Sequence, residues 1–356
     1  MSDREVDADA LVDRAALQTL LADRLGPASS FAVERHTEGH SNETLFVTWG
    51  DRDLVLRRPP PGETADTAHD VLREHRVLDA LQETAVPVPT TLFACEDDAG
   101  LGCECFVMER LAGDVVRETE PERFRTPAAR ERIGRELIET LVAVHEVDYA
   151  AVGLGDYGRP AGYLARQVDL WTDQLEGWLL PRTDRPVPGA EEVGDWLADN
   201  APTEAAHALV HGDYKLDNVM FGPETPPDLV GVFDWEMSTL GDPLADLAYL
   251  LLYWRAGAGT PDLPGAVTPA LTAREGYPTR ADLVAQYERR TGLAFENRRF
   301  YRALAAYKLA TASEAFYYRH LSGQADDPLY PEMEAVVPAL IEHARRVIDG
   351  DRPLAR

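Results

Sequence analysis

The sequence predicts a two-lobed α+β protein, with a small β-rich N-terminal lobe and a larger, mostly helical C-terminal lobe. Short alternating or β-branched runs fill the first third of the chain, whereas helical periodicity dominates after about residue 121. A length of 356 residues suits two domains or one large domain with two lobes. We place the boundary near residue 112, which gives lobes of 1–112 and 113–356.

The N-terminal lobe is predicted to be an antiparallel sheet with a leading helix and one inserted helix. Residues 10–25 repeat apolar side chains at helical spacing and stop at Gly26-Pro27, an ordinary helix terminator. The Gly50-Asp51 turn separates two of the strands, which is typical of antiparallel pairing. The predicted strands are 31–36, 44–49, 53–58, 91–97 and 103–109, and the inserted helix is 67–82.

The C-terminal lobe is predicted to be helical around one short pair of strands. The strands of that pair are 207–213 and 228–234, and the Gly- and Pro-rich segment 256–278 is expected to be a loop. The predicted helices are 130–147, 161–180, 189–198, 282–291, 298–320 and 332–348.

The charge of the chain is strongly negative, because 62 acidic residues face 35 basic ones, a net charge of −27. Only two of the basic residues are lysines, Lys215 and Lys308, and no Gly-Lys pair exists, so a Walker A loop is excluded. Nucleic acid and anionic membranes are not expected partners, since the chain should repel both. The acids are spread along the whole chain, which favours adaptation to a salt-rich cytoplasm (a halophilic protein) over attraction of one cationic partner.

The cysteines and the first residues indicate an ordinary cytoplasmic protein. Cys95, Cys103 and Cys105 are odd in number and lack C-x-x-C spacing, so we expect neither zinc nor a disulfide framework. The first ten residues are charged and contain no apolar signal-peptide region, and no apolar run reaches 18 residues. We therefore expect a soluble protein located in the cytoplasm.

The stretch 211–221 contains the clearest chemical pattern in the chain, H-x-D-x-x-x-x-N, and an apolar strand that ends at Asp234 follows it. Phosphoryl transfer needs a carboxylate to take the proton of the acceptor hydroxyl, and oxygen ligands to hold Mg²⁺ against the donor phosphates. Asp213 is the predicted base, and Asn218 and Asp234 are the predicted metal ligands. Lys215, two positions after the base, can reach the transferring phosphoryl group.

This pattern resembles the aminoglycoside phosphotransferase and choline kinase-like family of small-molecule kinases, which have a protein-kinase-like fold. Within that superfamily the sequence is most similar to the kinase-like domain joined to some acyl-CoA dehydrogenases. The resemblance covers roughly residues 30–345 and is carried by 39–49, 53–62, 106–116, 162–174, 211–221, 230–236 and 307–324. It implies the two-lobed protein-kinase-like fold, with ATP and Mg²⁺ as cofactors.

The resemblance also implies which residues contact the nucleotide. Ser41 and Asn42 lie in the turn that would cover the phosphates. Arg57 stands where the family has a lysine, with Glu74 as its ion-pair partner. An arginine keeps the charge but presents a bulkier, planar group, so this is a departure from the family pattern. In the segment that resembles the hinge between the lobes, the Glu109 carbonyl and the Leu111 amide are the implied adenine contacts.

A second set of residues matches family positions that face the acceptor cleft. These are Arg166, Gln167, Tyr317 and Arg319, for which surface salt bridges are the alternative role. Trp171 is a further candidate, with core packing as its alternative. The resemblance gives Asp246 the role of anchoring the backbone of the catalytic loop, while a helix N-terminal acid is its ordinary role.

The predicted function is transfer of the γ-phosphoryl group of ATP·Mg²⁺ to a hydroxyl of a small molecule. Only seven residues separate Asp234 from the Asp242-Pro243 turn, which leaves no peptide-docking activation segment and favours a small acceptor. The relatives suggest a hydroxyacyl-type acceptor, and Arg166 and Arg319 would suit its negative charge. An aminoglycoside is the less favoured acceptor, because the acidity of the chain is global and indicates no particular cation.

Two other functions stay open. The first is a catalytically weak, pseudokinase-like nucleotide-binding module, suggested by Arg57 in place of lysine and by a phosphate-covering turn with one glycine. The second is a hydrolase that uses His211 and Asp213, which is disfavoured because no G-x-S-x-G nucleophile motif is present.

Overall fold

The computed structural model describes residues 8–36, 42–60, 70–96, 100–255, 263–265, 270–324 and 327–350. By their contacts the residues form two units. The N-terminal unit contains the chain up to Gly113 together with Val230–Met237, and the C-terminal unit contains Asp114–Leu229 and the chain from Ser238 onward. The N-terminal unit is therefore discontinuous in sequence, and its returning segment contains Asp234. The sequence carried no signal for this return, because a short apolar strand looks the same in either unit.

A five-stranded antiparallel sheet forms the centre of the N-terminal unit, as predicted. Its strands lie in the order β1-β2-β3-β5-β4. They are β1 Phe31–His36, β2 Glu43–Trp49, β3 Arg52–Arg58, β4 Thr91–Cys95 and β5 Cys105–Glu109. Strands β2 and β3 pair in antiparallel register, with Leu45 opposite Leu56 and Val47 opposite Leu54.

Helices cover both faces of this sheet. α1 (Ala8–Leu11) and α2 (Arg14–Leu25) cover one face, and α3 (Val71–Leu81) contacts β4 and β5 from the other. The alternation of side chains along β3 places Leu54 and Leu56 in the core under α2. The opposite face of the same strand therefore carries Arg57 toward α3.

The C-terminal unit is mostly helical, as predicted. Its longest helix, α10, has 24 residues and packs against α11, α8 and α7. A π-helical segment, Asp173–Leu179, continues α5. The helices are α4 Pro127–His145, α5 Tyr163–Thr172, α6 Leu180–Thr183, α7 Ala190–Asn200, α8 Pro243–Tyr253, α9 Arg280–Thr291, α10 Arg298–Leu321 and α11 Met333–Asp349. Among the described residues, none of these helices combines the length and the apolar character needed to span a membrane.

The predicted pairing of 207–213 with 228–234 is wrong. β6 (Ala208–Val210) pairs instead with β9 (Thr239–Gly241), antiparallel, with Leu209 opposite Leu240. β7 (Val219–Phe221) follows the catalytic loop, and β8 (Leu229–Val232) is the strand in which the chain passes into the N-terminal unit. Several short apolar runs in this region are equally strand-like, so tertiary packing rather than local pattern decides which of them pair.

Candidate active site

The loop after β6 is held to the protein by its backbone. The N–H groups of His211 and Gly212 donate to the two carboxylate oxygens of Asp246, at 2.6 and 2.9 Å. Gly212 has a φ of +83°, a left-handed conformation that a side chain disfavours. Burial raises the pKa of Asp246, but hydrogen bonds and charge from His145 and His211 outweigh burial and lower it. An ionised Asp246 therefore anchors the loop, which confirms the anchoring role predicted for it.

Asp213, the predicted base, follows directly on this anchored backbone. Lys215 Nζ lies 3.0 and 2.8 Å from its two carboxylate oxygens. Asn218 Nδ2 donates to both the carbonyl and Oδ2 of Asp213, at 2.9 and 2.8 Å. Burial raises the pKa of Asp213, but the charges of Lys215 and Lys308 outweigh burial and lower it. The carboxylate is therefore ionised, fixed in place, and able to accept a hydrogen bond from a hydroxyl group.

Lys308, on α10, meets the same loop from the other side. Its ammonium donates to the Gly212 carbonyl and lies 4.7 Å from the ring centre of Tyr249 and 5.4 Å from that of Trp171. A cavity of about 20 Å³, enough for one water molecule, lies among these residues and Gln167. No role for Lys308 was predicted from the sequence. The signal that could have found it was the scarcity of lysine in the chain.

In the N-terminal unit, Arg57 forms a buried ion pair with Glu74. Its Nη2 lies 3.0 Å from Glu74 Oε2, its Nε lies 3.3 Å from the same oxygen, and its Nη1 donates to Thr44 Oγ1 at 2.9 Å. The Arg57 and Glu74 side chains are 13% and 3% exposed. Burial lowers the pKa of Arg57, but the charges of Glu74 and Asp234 outweigh burial and raise it.

Asp234 lies beside this pair, with its Oδ1 3.7 Å from Arg57 Nη2. Its φ of +64° is uncommon for a residue with a side chain, and such strained positions cluster at functional sites. Gly231, three residues earlier, lies against Leu111, since an added Cβ would lie 2.5 Å from Leu111 Cδ1 and that side chain would have to move. The chain therefore passes close to Leu111 before it presents Asp234, whose side chain is 35% exposed.

The donors at the two predicted metal ligands suit a hard cation. Asn218 uses its Nδ2 for hydrogen bonds to Asp213, so its amide oxygen is the atom that suits a cation. Asp234 offers a partly exposed carboxylate. Within the described residues no group of three or more His, Cys, Asp or Glu side chains could hold a metal ion. This chemistry fits Mg²⁺, which is commonly held by one or two protein oxygens and completes its shell with phosphate oxygens and water.

Comparison with known proteins gives these residues a family context. The profile of the phosphotransferase enzyme family known as APH matches residues 32–304. The chain belongs to this phosphotransferase family. Acyl-CoA dehydrogenase family member 10 of Mus musculus is 33% identical over 344 residues, which are 96% of this chain and 32% of that protein. The chain spans between 32% and 40% of the length of the first curated relatives that it matches.

Solved structures show the same fold. A crystal structure from Ralstonia eutropha JMP134, provisionally assigned as an aminoglycoside phosphotransferase, has a TM-score of 0.81 and 31% identity and covers 95% of this chain and 99% of its own. A ternary complex of aminoglycoside phosphotransferase APH(4)-Ia with AMP-PNP and hygromycin B has a TM-score of 0.59 and 18% identity and covers 92% of this chain and 98% of its own. The predicted two-lobed kinase-like α+β fold and the predicted family are confirmed.

The residues predicted to contact the nucleotide differ from one another in burial and in hydrogen-bond partners. Ser41 lies outside the described residues. Asn42 is 4% exposed and lies beside Glu74, yet its amide atoms have no hydrogen-bond partner of normal geometry in the described part of the chain. Glu109 ends β5 with an exposed side chain, and its N–H donates to the Thr90 carbonyl at 2.9 Å. Leu111 is half-buried against Gly231.

The five predicted acceptor residues fall into two groups. Gln167 and Trp171 lie together, since Trp171 Nε1 donates to Gln167 Oε1 at 3.1 Å, and both line the cavity beside Gly212. The other three have partners of their own. Arg166 is exposed and donates to backbone carbonyls before α5, Tyr317 lies under the Arg185 guanidinium, and Arg319 lies beside Tyr330.

Proposed function

We propose that the protein transfers the γ-phosphoryl group of ATP, with Mg²⁺, to a hydroxyl group of a small molecule. The observation that carries the proposal is the Asp213 carboxylate, which Lys215 and Asn218 hold in one orientation on a loop anchored to Asp246. Membership of the phosphotransferase family supports the same reaction class.

Catalysis by these residues is positioning together with charge stabilisation, since phosphoryl transfer needs little covalent chemistry from the protein. Asp213 orients the acceptor hydroxyl and accepts its proton as the oxygen attacks phosphorus. Lys215, paired with the base, offers positive charge to the transferring phosphoryl group. Asn218 and Asp234 would hold Mg²⁺ through their side-chain oxygens, and the ion would supply charge neutralisation for the phosphates.

The nucleotide side of the proposal is assigned to the N-terminal unit. Arg57, ion-paired with Glu74, replaces the family lysine as the cation for phosphate oxygens. Asn42 is assigned to the phosphates from the family resemblance, and its buried amide lies beside Glu74. The Glu109 carbonyl and the Leu111 amide are assigned to adenine.

An acceptor with negative charge is the best match for the catalytic loop. Lys215 and Lys308 place two ammonium groups next to the Asp213 carboxylate, which disfavours a polycation such as an aminoglycoside. Similarity to a protein named acyl-CoA dehydrogenase family member 10 agrees with a hydroxyacyl-type acceptor. Gln167 and Trp171 are the proposed contacts nearest to the loop, and Arg166, Tyr317 and Arg319 complete the proposed acceptor set.

The test is ATP consumption with a panel of hydroxyacyl-CoA thioesters, free hydroxy acids and aminoglycosides, in molar KCl with Mg²⁺. Asp213→Asn is the inactive comparison, and Asp228→Asn, an exposed acid in the same unit, is the matched control. We expect turnover to fall by about 10²- to 10⁴-fold in D213N, to be unchanged in D228N, and to require Mg²⁺. Wild-type turnover no faster than that of D213N with every acceptor would refute the proposal.

The second candidate function is a nucleotide-binding module with little activity. One observation favours it: Glu74 and Thr44 already engage donors on all three nitrogens of Arg57, which leaves it less free to bind phosphate. For such a module, Mg·ATP would stabilise the fold without being consumed. A ligand at a hundredfold excess over its Kd contributes about 2.7 kcal/mol, which a melting experiment detects readily.

A further inference from the structure

One charged residue beside the catalytic loop has no step assigned to it in the phosphoryl transfer proposed above. Lys308 lies 93 positions after Lys215 on α10, and these are the two lysines of a chain with 35 basic residues. Its ammonium is directed at a backbone atom, the carbonyl of Gly212, and the next residue is Asp213. Arginine serves at the other basic positions of the chain, so a retained lysine here calls for a specific reason.

We propose that Lys308 is a positioning residue of the catalytic loop, which holds the Gly212 carbonyl and thereby fixes the orientation of the Asp213 carboxylate toward the acceptor. The inference rests on the proposed function. It adds a residue that acts on the base through the backbone, in contrast to Lys215, which contacts the carboxylate itself.

The hydrogen bonds of the loop support this role. Asp246 accepts from the N–H groups of His211 and Gly212, and Lys308 donates to the carbonyl of Gly212. Both polar groups of one buried glycine are thus bound by side chains from two different helices, α8 and α10. Because Gly212 is left-handed and lacks a side chain, these contacts, rather than packing of its own, hold it in place.

The shape of the surrounding cavity suits an ammonium better than a guanidinium. Lys308 approaches the loop between the rings of Trp171 and Tyr249, whose faces stabilise a cation. The cavity among these residues is small, with a volume of about 20 Å³, room for about one water molecule. A planar guanidinium is bulkier than an ammonium and so fits less readily in that space.

Titratable side chains surround Lys308 on several of the elements that pack against it. Burial lowers the pKa of Lys308 and Lys215 lowers it further, whereas the carboxylates of Asp213 and Asp246 raise it, and burial prevails. The titratable groups in this set are Asp213, Lys215 and His211 of the loop region, Asp246, Tyr249 and Tyr253 of α8, Tyr163 of α5, and Tyr301 of α10. The charge of Lys308 is in turn one of those that lower the pKa of Asp213.

The test compares Lys308→Met, Lys308→Arg and Arg346→Met, the last of which removes one exposed positive charge from α11. Hydrogen–deuterium exchange of a peptide that covers 208–218 reports how often the loop opens, whether or not the acceptor is known. We expect exchange in K308M to be about tenfold faster in this peptide and unchanged in α9, with R346M like the wild type. K308R should restore part of the protection, because it keeps a charged donor.

Kinetics with the best acceptor provide the second readout. We expect kcat of K308M to fall about 10²-fold while the KM for the acceptor changes less than about threefold, since a misplaced base slows chemistry without loosening binding.

Unchanged exchange in K308M would overturn the proposal, and so would a raised KM with an unchanged kcat, which would make Lys308 an acceptor-binding residue. If wild-type protein phosphorylates no acceptor, the proposed function fails, and the exchange experiment alone still decides whether Lys308 holds the loop. If K308M does not fold, the same measurements are made on Lys308→Gln, which is expected to expose the loop in the same way because its shorter amide does not reach Gly212.

Discussion

Asp213 is a half-buried carboxylate with a lowered pKa, a combination that requires cations close to it. Lys215 is the main one, with its ammonium within 3.0 Å of both carboxylate oxygens. A base of low pKa is suited to phosphoryl transfer, because the proton of the attacking hydroxyl leaves late, when phosphorus is already bonding. The same cation also makes the charge of the base nearly independent of pH above the acid range.

The pH dependence of Lys215→Met tests this arrangement. A lowered pKa means that Asp213 stays ionised to a lower pH than an ordinary aspartate does. Removal of Lys215 raises that pKa, so the acidic limb of kcat against pH should move to higher pH. The shift is read from initial rates at saturating substrate, with D228N as the comparison. An acidic limb at an unchanged pH would show that another group sets the profile.

Arg57 differs from Asp213 because neighbouring side chains already engage all three nitrogens of its guanidinium group. Its guanidinium binds Glu74 and Thr44, and Asp234 lies 3.7 Å away. The sequence predicted the pair with Glu74 from family resemblance, and the hydrogen bond to Thr44 was beyond prediction because it depends on the register of β2 and β3. Thr44 lies directly opposite Arg57 in that register.

Substitution of Arg57 by methionine should be costly to the fold itself. The change leaves the Glu74 carboxylate, 3% exposed, without its cation, and we expect the free energy of unfolding to fall by about 3 to 5 kcal/mol. Arg35→Met removes a more exposed pair with Glu43 in the same sheet and should cost at most about 1 kcal/mol. Urea denaturation of both variants gives the comparison. Equal losses would show that the Arg57 pair is no more than a surface contact.

At the scale of elements, the catalytic loop depends on a backbone conformation that glycine tolerates best. Gly212 joins β6 to Asp213 in the left-handed region and is bound through its N–H and its carbonyl. Many strands and helices were predictable from the sequence, because their apolar periodicity is set by burial of one face. The partners of the loop were not, since Asp246 and Lys308 lie 34 and 96 positions away along the chain.

Gly212→Ala should therefore destabilise the protein. A Cβ at a φ of +83° is strained, and we expect a loss of about 1 to 2 kcal/mol in the free energy of unfolding. Gly177→Ala in the π-helical segment is the matched control, because nothing lies within 4 Å of the position that its new methyl group would take and its φ is ordinary. That variant should be neutral or slightly more stable. Thermal unfolding of the two variants side by side makes the measurement, and a stable G212A would contradict the assigned backbone strain.

The strand pairing shows where sequence reasoning stops. Apolar alternation predicted the strand at 228–234, where β8 lies, but it did not predict that β8 and β6 belong to two different two-stranded sheets. The partner of β6 is the three-residue β9, whose sequence, Thr-Leu-Gly, carries no strand signal of its own. Short strands of this kind are selected by tertiary contacts, so local pattern predicts that they exist more reliably than how they pair.

At the scale of the whole molecule, a net charge of −27 is the dominant electrostatic feature. We propose that it adapts the protein to a salt-rich environment. Carboxylates spread over a surface repel one another in dilute buffer, whereas added salt shortens the distance over which they interact, from about 30 Å at 0.01 M to about 10 Å at 0.1 M.

Salt should therefore raise the melting temperature strongly, and the rise should begin at low concentration. Charge screening predicts most of the gain below about 1 M salt and the same gain for NaCl and KCl, because both are monovalent. Sucrose at matched osmolality is the control, since it acts by exclusion from the surface and screens no charge. A melting temperature that is flat between about 0.01 and 0.5 M salt would contradict the proposed adaptation.

The return of Val230–Met237 has a practical consequence for dissecting the molecule. The chain crosses between the units at three places, after Gly113, before Val230 and after Met237. A fragment that ends at Gly113 would therefore lack Asp234 and the strand that leads to it. The two units cannot be separated by a single cut. Circular permutation or an engineered linker between Gly113 and Val230 is the route by which the nucleotide-side unit could be studied alone.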